Sequence, residues 1–152
     1  MTVSLCQLGL QDMARVAVVL RQAFDDRLPW LAGIHTPQED RRFFENHVYA
    51  TCEIWGAVDG EIVGFIAFRE GWVDQLYVLP GQQKRGIGAA LLGVAKAAWP
   101  ALQLWTFQKN MAARRFYEKH GFTPIRETDG RDNEEREPDI LYRWQQQPRL
   151  ES

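Results

Sequence analysis

The residues best suited to chemistry lie in Val78-Leu79-Pro80-Gly81-Gln82-Gln83-Lys84-Arg85-Gly86-Ile87-Gly88-Ala89-Ala90-Leu91-Leu92. This stretch reads as a strand, a basic glycine-rich turn and the start of a helix. A helix start leaves several backbone N–H groups unpaired and carries partial positive charge. Glycines there remove side chains that would hold an anion away, and Lys84 and Arg85 add full charge beside it. The segment is a candidate phosphate cradle. Two familiar phosphate loops fit it poorly. A P-loop needs Lys directly after the last glycine of G-x-x-x-x-G, whereas Gly88 to Gly93 is followed by Val94. A dinucleotide fingerprint needs Gly or Ala three positions after Gly88, where Leu91 stands.

The remaining pattern is Q/R-x-x-G-x-G/A, met in full by Gln83-Lys84-Arg85-Gly86-Ile87-Gly88. Upstream stands the strand-like Gln75-Leu76-Tyr77-Val78-Leu79-Pro80. Downstream, Asn110-Met111-Ala112-Ala113-Arg114-Arg115-Phe116-Tyr117-Glu118-Lys119-His120-Gly121-Phe122 reads N-x-x-A-x-x-x-Y-x-x-x-G-F. Asn110 and Tyr117 are about two helical turns apart and share a face. On these segments, and over roughly Gly56 to Trp144, the chain resembles the GNAT superfamily of acyl-CoA N-acyltransferases.

That resemblance implies acetyl-CoA as co-substrate, no metal, and direct transfer of acetyl to an amine. It assigns the pyrophosphate to Gln83, Lys84, Arg85, Gly86, Ile87, Gly88 and Ala89. It assigns the pantetheine arm to main-chain groups of Leu76, Tyr77 and Val78, with Asn110 alongside. A strand splayed from its neighbour can hold such an arm like an added strand. Val78 N–H would meet the developing oxyanion, and Tyr117 would protonate the departing sulfur. Read alone, Asn110 is equally a helix cap and Tyr117 equally a core aromatic.

The base is less well marked. Leu104-Trp105-Thr106-Phe107-Gln108, the expected fifth strand, has no carboxylate. Asp74 is the first candidate, Glu70 the second, and His35 titrates near neutral pH. The segment 126–139 is rich in acids, and its negative charge would favour a cationic amine. Glu134, Glu135 and Asp139 are therefore candidate acceptor contacts, and Trp30 in the loop from Leu28 to Ile34 is a candidate opposite wall. A solvated loop explains the acids, and ordinary packing explains Trp30, as readily. A CoA-binding sensor or assembly module without turnover is the alternative function.

The positioning elements follow from pattern. Met13, Val16, Ala17, Leu20 and Phe24 recur at helical spacing. Thr36-Pro37-Gln38-Glu39 is a capping-box start for a helix running to about His47. A short first strand is expected around Val3 and Leu5. Further strands are expected at 52–58, 62–69, 72–78, 102–107, 123–128 and 140–144, with Asp59-Gly60 as a two-residue hairpin turn. Helices are expected over 86–99 and 110–120. The order is β-α-α-β-β-β-α-β-α-β-β, a mixed α/β class. The resemblance implies a mostly antiparallel seven-stranded sheet, splayed between strands 4 and 5 and flanked by four helices. One domain is expected over 1–145, with a polar tail at 146–152.

At 152 residues, a net charge of -2 and a pI near 5.9, the chain lacks the basic stripe of a nucleic-acid binder. No apolar run approaches the roughly 20 residues of a membrane span, and the first residues lack a signal peptide's regions. Cys6 and Cys52 have no ligand spacing and read as small buried thiols of a reducing compartment. A cytoplasmic location is expected, with a small-molecule or peptide amine as partner and, by resemblance, a homodimer.

Overall fold

Glu61–Arg69 carries seven consecutive buried residues, Ile62 to Phe68, between two charged ends. Only a strand covered on both faces reads this way, and it forms the centre of the fold. A computed structural model describes residues 3–148. Its strands are β1 (Ser4–Gln7), β2 (Glu53–Asp59), β3 (Glu61–Arg69), β4 (Trp72–Val78), β5 (Ala101–Phe107), β6 (Thr123–Glu127) and β7 (Asp139–Gln145). Its main helices are α1 (Met13–Arg27), α2 (Pro37–Phe43), α3 (Ile87–Ala98) and α4 (Met111–Lys119). The strands form one seven-stranded sheet in the order β1-β2-β3-β4-β5-β7-β6.

All neighbours are antiparallel except β4 and β5, which run parallel and share one registered pair, Trp72 with Gln103. Gln103 N donates to Gly71 O at 2.8 Å at that vertex. Beyond it the strands diverge, so the sheet is splayed where the family resemblance implies. On one face α1 and the helix beginning at Pro37 bury Met13, Val16, Val19, Phe44 and Val48 against Phe65 and Ala67. On the other, α3 and α4 bury Ile87, Leu91, Leu92 and Tyr117 against Ile66, Phe68 and Leu104.

The second helix starts where its capping box predicts. Glu39 N donates to Thr36 Oγ1 at 3.2 Å, and Thr36 N donates to Glu39 Oε1 at 3.0 Å. It does not stop at His47. A π-helical segment, Phe44–Val48, and a last turn, Tyr49–Thr51, carry it on. Phe44 and Val48 are both buried, so the extension seats a second apolar pair on the sheet. No Gly or Pro interrupts the chain between Pro37 and Gly56.

The cysteines need correction. Cys6 is exposed on the edge strand β1 and Cys52 is half-buried, and both are free thiols. An edge strand covered on neither face buries nothing, and all four residues of β1 are exposed. Of the tail expected at 146–152, Gln146 still donates to Pro100 O at 2.7 Å. Residues 149–152, like the first two of the domain expected at 1–145, lie outside the described residues. Among the described residues no helix is long and apolar enough to cross a membrane.

Candidate active site

The end of β4, the turn after it, the start of α3 and the facing side of α4 line a cavity of about 580 Å³. Its wall includes Leu76, Tyr77, Val78, Gln83, Lys84, Gly86, Ile87, Gly88, Ala89, Asn110 and Tyr117, eleven of the twelve residues expected to hold the cofactor. Gly86 caps α3 in the left-handed region at φ +77°, which glycine adopts without a Cβ penalty. A Cβ built on it meets no atom within 4 Å, so only open cavity lies beyond. Ala90 N donates to Gly86 O at 3.0 Å, which leaves the first-turn amides before it free to bind an anion. At Gly88 a Cβ would stand 3.1 Å from the Phe116 ring, so this glycine lets α3 and α4 approach. Lys84 also takes φ +68°, an uncommon conformation for a side-chain-bearing residue that is enriched at ligand-binding turns.

The remaining cofactor candidate, Arg85, turns out of this wall and pairs with Asp59 Oδ2 at 3.1 Å. Gln83 Nε2 donates to Val78 O at 3.0 Å, locking the turn onto β4. Main-chain groups alternate sides along a strand. Leu79 N donates to Val63 O at 2.8 Å, toward β3. The main chain of Tyr77 must face the same way, while that of Leu76 and Val78 faces the gap. Asn110 Oδ1 accepts from Ala113 N at 3.2 Å, so Asn110 caps α4 and lines the cavity together.

A second cavity of about 600 Å³ lies on the opposite face of β4, between α1, α2 and the β6–β7 loop. Among the described residues, Tyr77 alone lines both cavities. His35, a candidate for the base, and Glu134 and Glu135, candidate acceptor contacts, line the second. His35 Nε2 lies 3.1 Å from Glu134 Oε1 and His35 Nδ1 lies 3.6 Å from Glu39 Oε2. Burial lowers the His35 pKa, but hydrogen bonds and charge from Glu134, then Glu39, outweigh it and the net direction is upward. On the floor, Arg21 holds buried Asp40 with two bonds of 2.8 Å. The Tyr77 hydroxyl is pushed up to about 12 by burial and then by the charge of Glu135, against Arg21. Tyr117 is pushed up by burial and then by Tyr77. Both phenols keep their protons at neutral pH.

The other candidates lie elsewhere. Asp74 is the extra residue of a β-bulge, because Ala67 pairs with Gln75 while Phe68 pairs with Val73. The bulge aims its carboxylate at Arg69 Nε, 2.7 Å away, and at Cys52 Sγ, 3.3 Å away, outside both cavity walls. The fold thus brings Asp74 to Arg69 and not to either cavity, where the expected base would act. Glu70 is exposed beyond the end of β3 and lines neither cavity. Asp139 accepts from Thr128 Oγ1 and from Asn133 Nδ2, so it folds the β6–β7 loop instead of facing the cavity. Trp30 is 51% exposed, and its Nε1 donates to Glu137 Oε2 at 3.4 Å under the Lys109 ammonium. It fastens the 28–34 loop to the β6–β7 loop. Sequence reasoning missed Arg27, whose Nη2 donates to Gln83 Oε1 and which lines the first cavity from α1. Its only signal was a basic last turn on α1.

Residues 50–124 match the family model described as the acetyltransferase (GNAT) domain. Over 65 residues the chain is 38% identical to the peptidyl-lysine N-acetyltransferase YiaC of Escherichia coli strain K12, a match covering 42% of this chain and 44% of that protein. The chain thus spans less than half of that relative's length. Its fold is similar to the apo form of YjaB from Escherichia coli, with a TM-score of 0.76 at 21% identity over 97% of this chain and 100% of that one. It is also similar to the PaiA N-acetyltransferase of Thermoplasma acidophilum in complex with coenzyme A, with a TM-score of 0.72 at 20% identity over 95% and 99%. At those identities the structural likeness speaks for the fold alone. A helix-start cradle beside a splayed sheet, two signature segments and these relatives converge on one assignment: residues 50–124 form an acetyltransferase domain of the GNAT family.

Proposed function

We propose that the chain is an acetyl-CoA-dependent N-acetyltransferase that passes an acetyl group directly to a primary amine. One observation carries the reading: a phosphate cradle and Tyr117 line one cavity, which meets an acid-rich second cavity at Tyr77. The cradle fits the cofactor, since Gly86 opens freely into the cavity beside unpaired first-turn amides. Bound there, acetyl-CoA supplies an acyl group activated as a thioester. First-turn amides of α3 and the Lys84 ammonium hold its diphosphate. Main-chain groups of Leu76 and Val78 face the pantetheine arm, and Val78 N–H stabilises negative charge developing on the carbonyl oxygen. Tyr117, protonated at neutral pH, gives its proton to the departing sulfur.

The printed activity of YiaC on peptidyl lysine and the coenzyme A in the PaiA structure support the reading. The same reading includes a homodimer, on resemblance to the family alone, and a cytoplasmic site of action, which two free thiols suit. The placement of Asp74 outside both cavities favours a second reading, a CoA-binding module without turnover. Thiol release from acetyl-CoA in the presence of primary amines, followed by mass spectrometry of the amine, tests the first. Coenzyme A binding without amine-dependent thiol release would establish the second.

A further inference from the structure

Tyr142 of β7 is 0% exposed, and a buried phenol must find partners for its hydroxyl. Both partners come from α4. Arg114 Nε donates to the Tyr142 hydroxyl at 3.1 Å, and the hydroxyl donates to Glu118 Oε2 at 2.6 Å. Bonds to charged groups are the stronger kind. Arg114 and Glu118 stand one turn apart and share the face of α4 that meets β7. Arg114 Nη1 also donates to Gln108 O at 3.3 Å, just past β5. Tyr117 lies beside this face and is the only buried residue of α4. On its other side the Phe116 ring rests against Gly88 of α3. One buried residue gives a helix little apolar grip against rotation about its own axis. The phenol bridge and the Phe116 contact supply that grip from two sides.

Resting on the transferase reading above, we propose that Tyr142 is a positioning residue for the transfer. Its hydroxyl, held between Arg114 and Glu118, fixes the roll of α4 and so aims the Tyr117 hydroxyl into the first cavity. Tyr142 itself lines neither cavity and acts only through the helix. The lever is short and sensitive. Side chains reach about 6 Å from a helix axis, so a roll of about 10° moves an atom there by about 1 Å. A misplacement of that size can cost a reacting group about 100-fold. Phenylalanine would fill the same space in the core, and the ring alone would leave α4 without its polar hold on β7. The hydroxyl therefore serves the aim of Tyr117 more than the packing of the sheet.

The test follows thiol release from acetyl-CoA with two amines, 2-phenylethylamine and a short peptide with a single lysine. Y142F keeps the ring and removes only the hydroxyl. Arg114 and Glu118, four residues apart, can then pair with each other and let go of β7. Turnover of Y142F should fall by about 10-fold or more. Its affinity for coenzyme A should stay within about 2-fold, because the cradle stands on α3, outside this network. Three further results separate aiming from folding. In a Y117F background Y142F should cause no further loss, since a misaimed hydroxyl and an absent one are equivalent. E118Q keeps an oxygen for the phenol and should retain most of the turnover, whereas E118L should lose as much as Y142F. Amide hydrogen exchange across α4 should quicken in Y142F and not in Y117F. Full turnover in Y142F, losses from Y117F and Y142F that multiply, or unchanged exchange across α4 each overturn the inference and leave the transferase reading standing. Thiol release by the wild type with neither amine overturns both.

Discussion

His35 Nε2 stands 3.1 Å from Glu134 Oε1, joining the segment that leads into α2 to the β6–β7 loop across the mouth of the second cavity. The contact is strongest when the imidazole is charged. With a folded pKa above the ordinary 6.5, its stabilising contribution is fully present below 6.5 and is lost as pH rises through the folded value. Melting temperature should therefore fall across that window in the wild type, and the fall should be smaller in His35→Gln. Thermal melts from pH 5 to 9, with that range chosen to bracket the ordinary value by about two units, read the difference directly.

The cradle should be intolerant of side chains. Gly86→Glu places a carboxylate where an anion belongs and forces a residue with a Cβ to φ +77°, at a backbone cost of about 1 kcal/mol. Gly88→Glu must also displace the Phe116 ring, 3.1 Å from the new Cβ. Both variants should lose the rise in melting temperature that coenzyme A gives the wild type. Gly86→Glu should keep most of its basal stability, since its Cβ meets open space.

Tyr117→Phe separates binding from chemistry. The ring packs against Phe122 and Tyr142 at centroid distances of 5.6 and 6.3 Å, and phenylalanine preserves that packing. Turnover should fall by about 100-fold, with coenzyme A affinity nearly unchanged. Steady-state kinetics beside calorimetric titration with coenzyme A separates the two quantities. Equal activity in the variant would remove Tyr117 from the chemistry.

Arg21 and Asp40 should behave as a buried pair whose halves are unequal. Arg21→Met strands a carboxylate that is 5% exposed, and should cost about 3–5 kcal/mol. Asp40→Asn should cost less, because Arg21 still reaches Asp25 Oδ1 at 3.3 Å. Denaturant unfolding of both singles and the double variant measures the coupling, and equal single costs would contradict the asymmetry.

Features written in contiguous residues were legible beforehand. The Thr36–Glu39 capping box and the glycine turn before α3 each depend on a few neighbouring backbone positions, and each stands where its residues place it. The hairpin after β2 also forms, but Asp59 pairs with Glu61, so it turns at Gly60 and not through the expected two-residue Asp59-Gly60 loop. Features set by a partner strand were not. The direction of Asp74 follows from one unmatched residue between β3 and β4, and a bulge has no signature in one strand read alone. The side of β4 to which Tyr77 turns its main chain depends likewise on its pairing with Phe65. The second helix overran its expected end because its last turns are held by tertiary burial of Phe44 and Val48, with no local stop residue to contradict them. Arg27 reaches the first cavity through the fold alone, from far upstream of the turn it touches.

The lone registered pair between β4 and β5 makes Trp72 and Gln103 a pivot joining two half-sheets, β1 to β4 and β5 to β7. A ligand lodged in the open angle bridges both halves, so filling it ought to stiffen the molecule as a wedge stiffens a hinge. Amide hydrogen exchange along β5 should then slow on loading, well away from any atom the ligand touches.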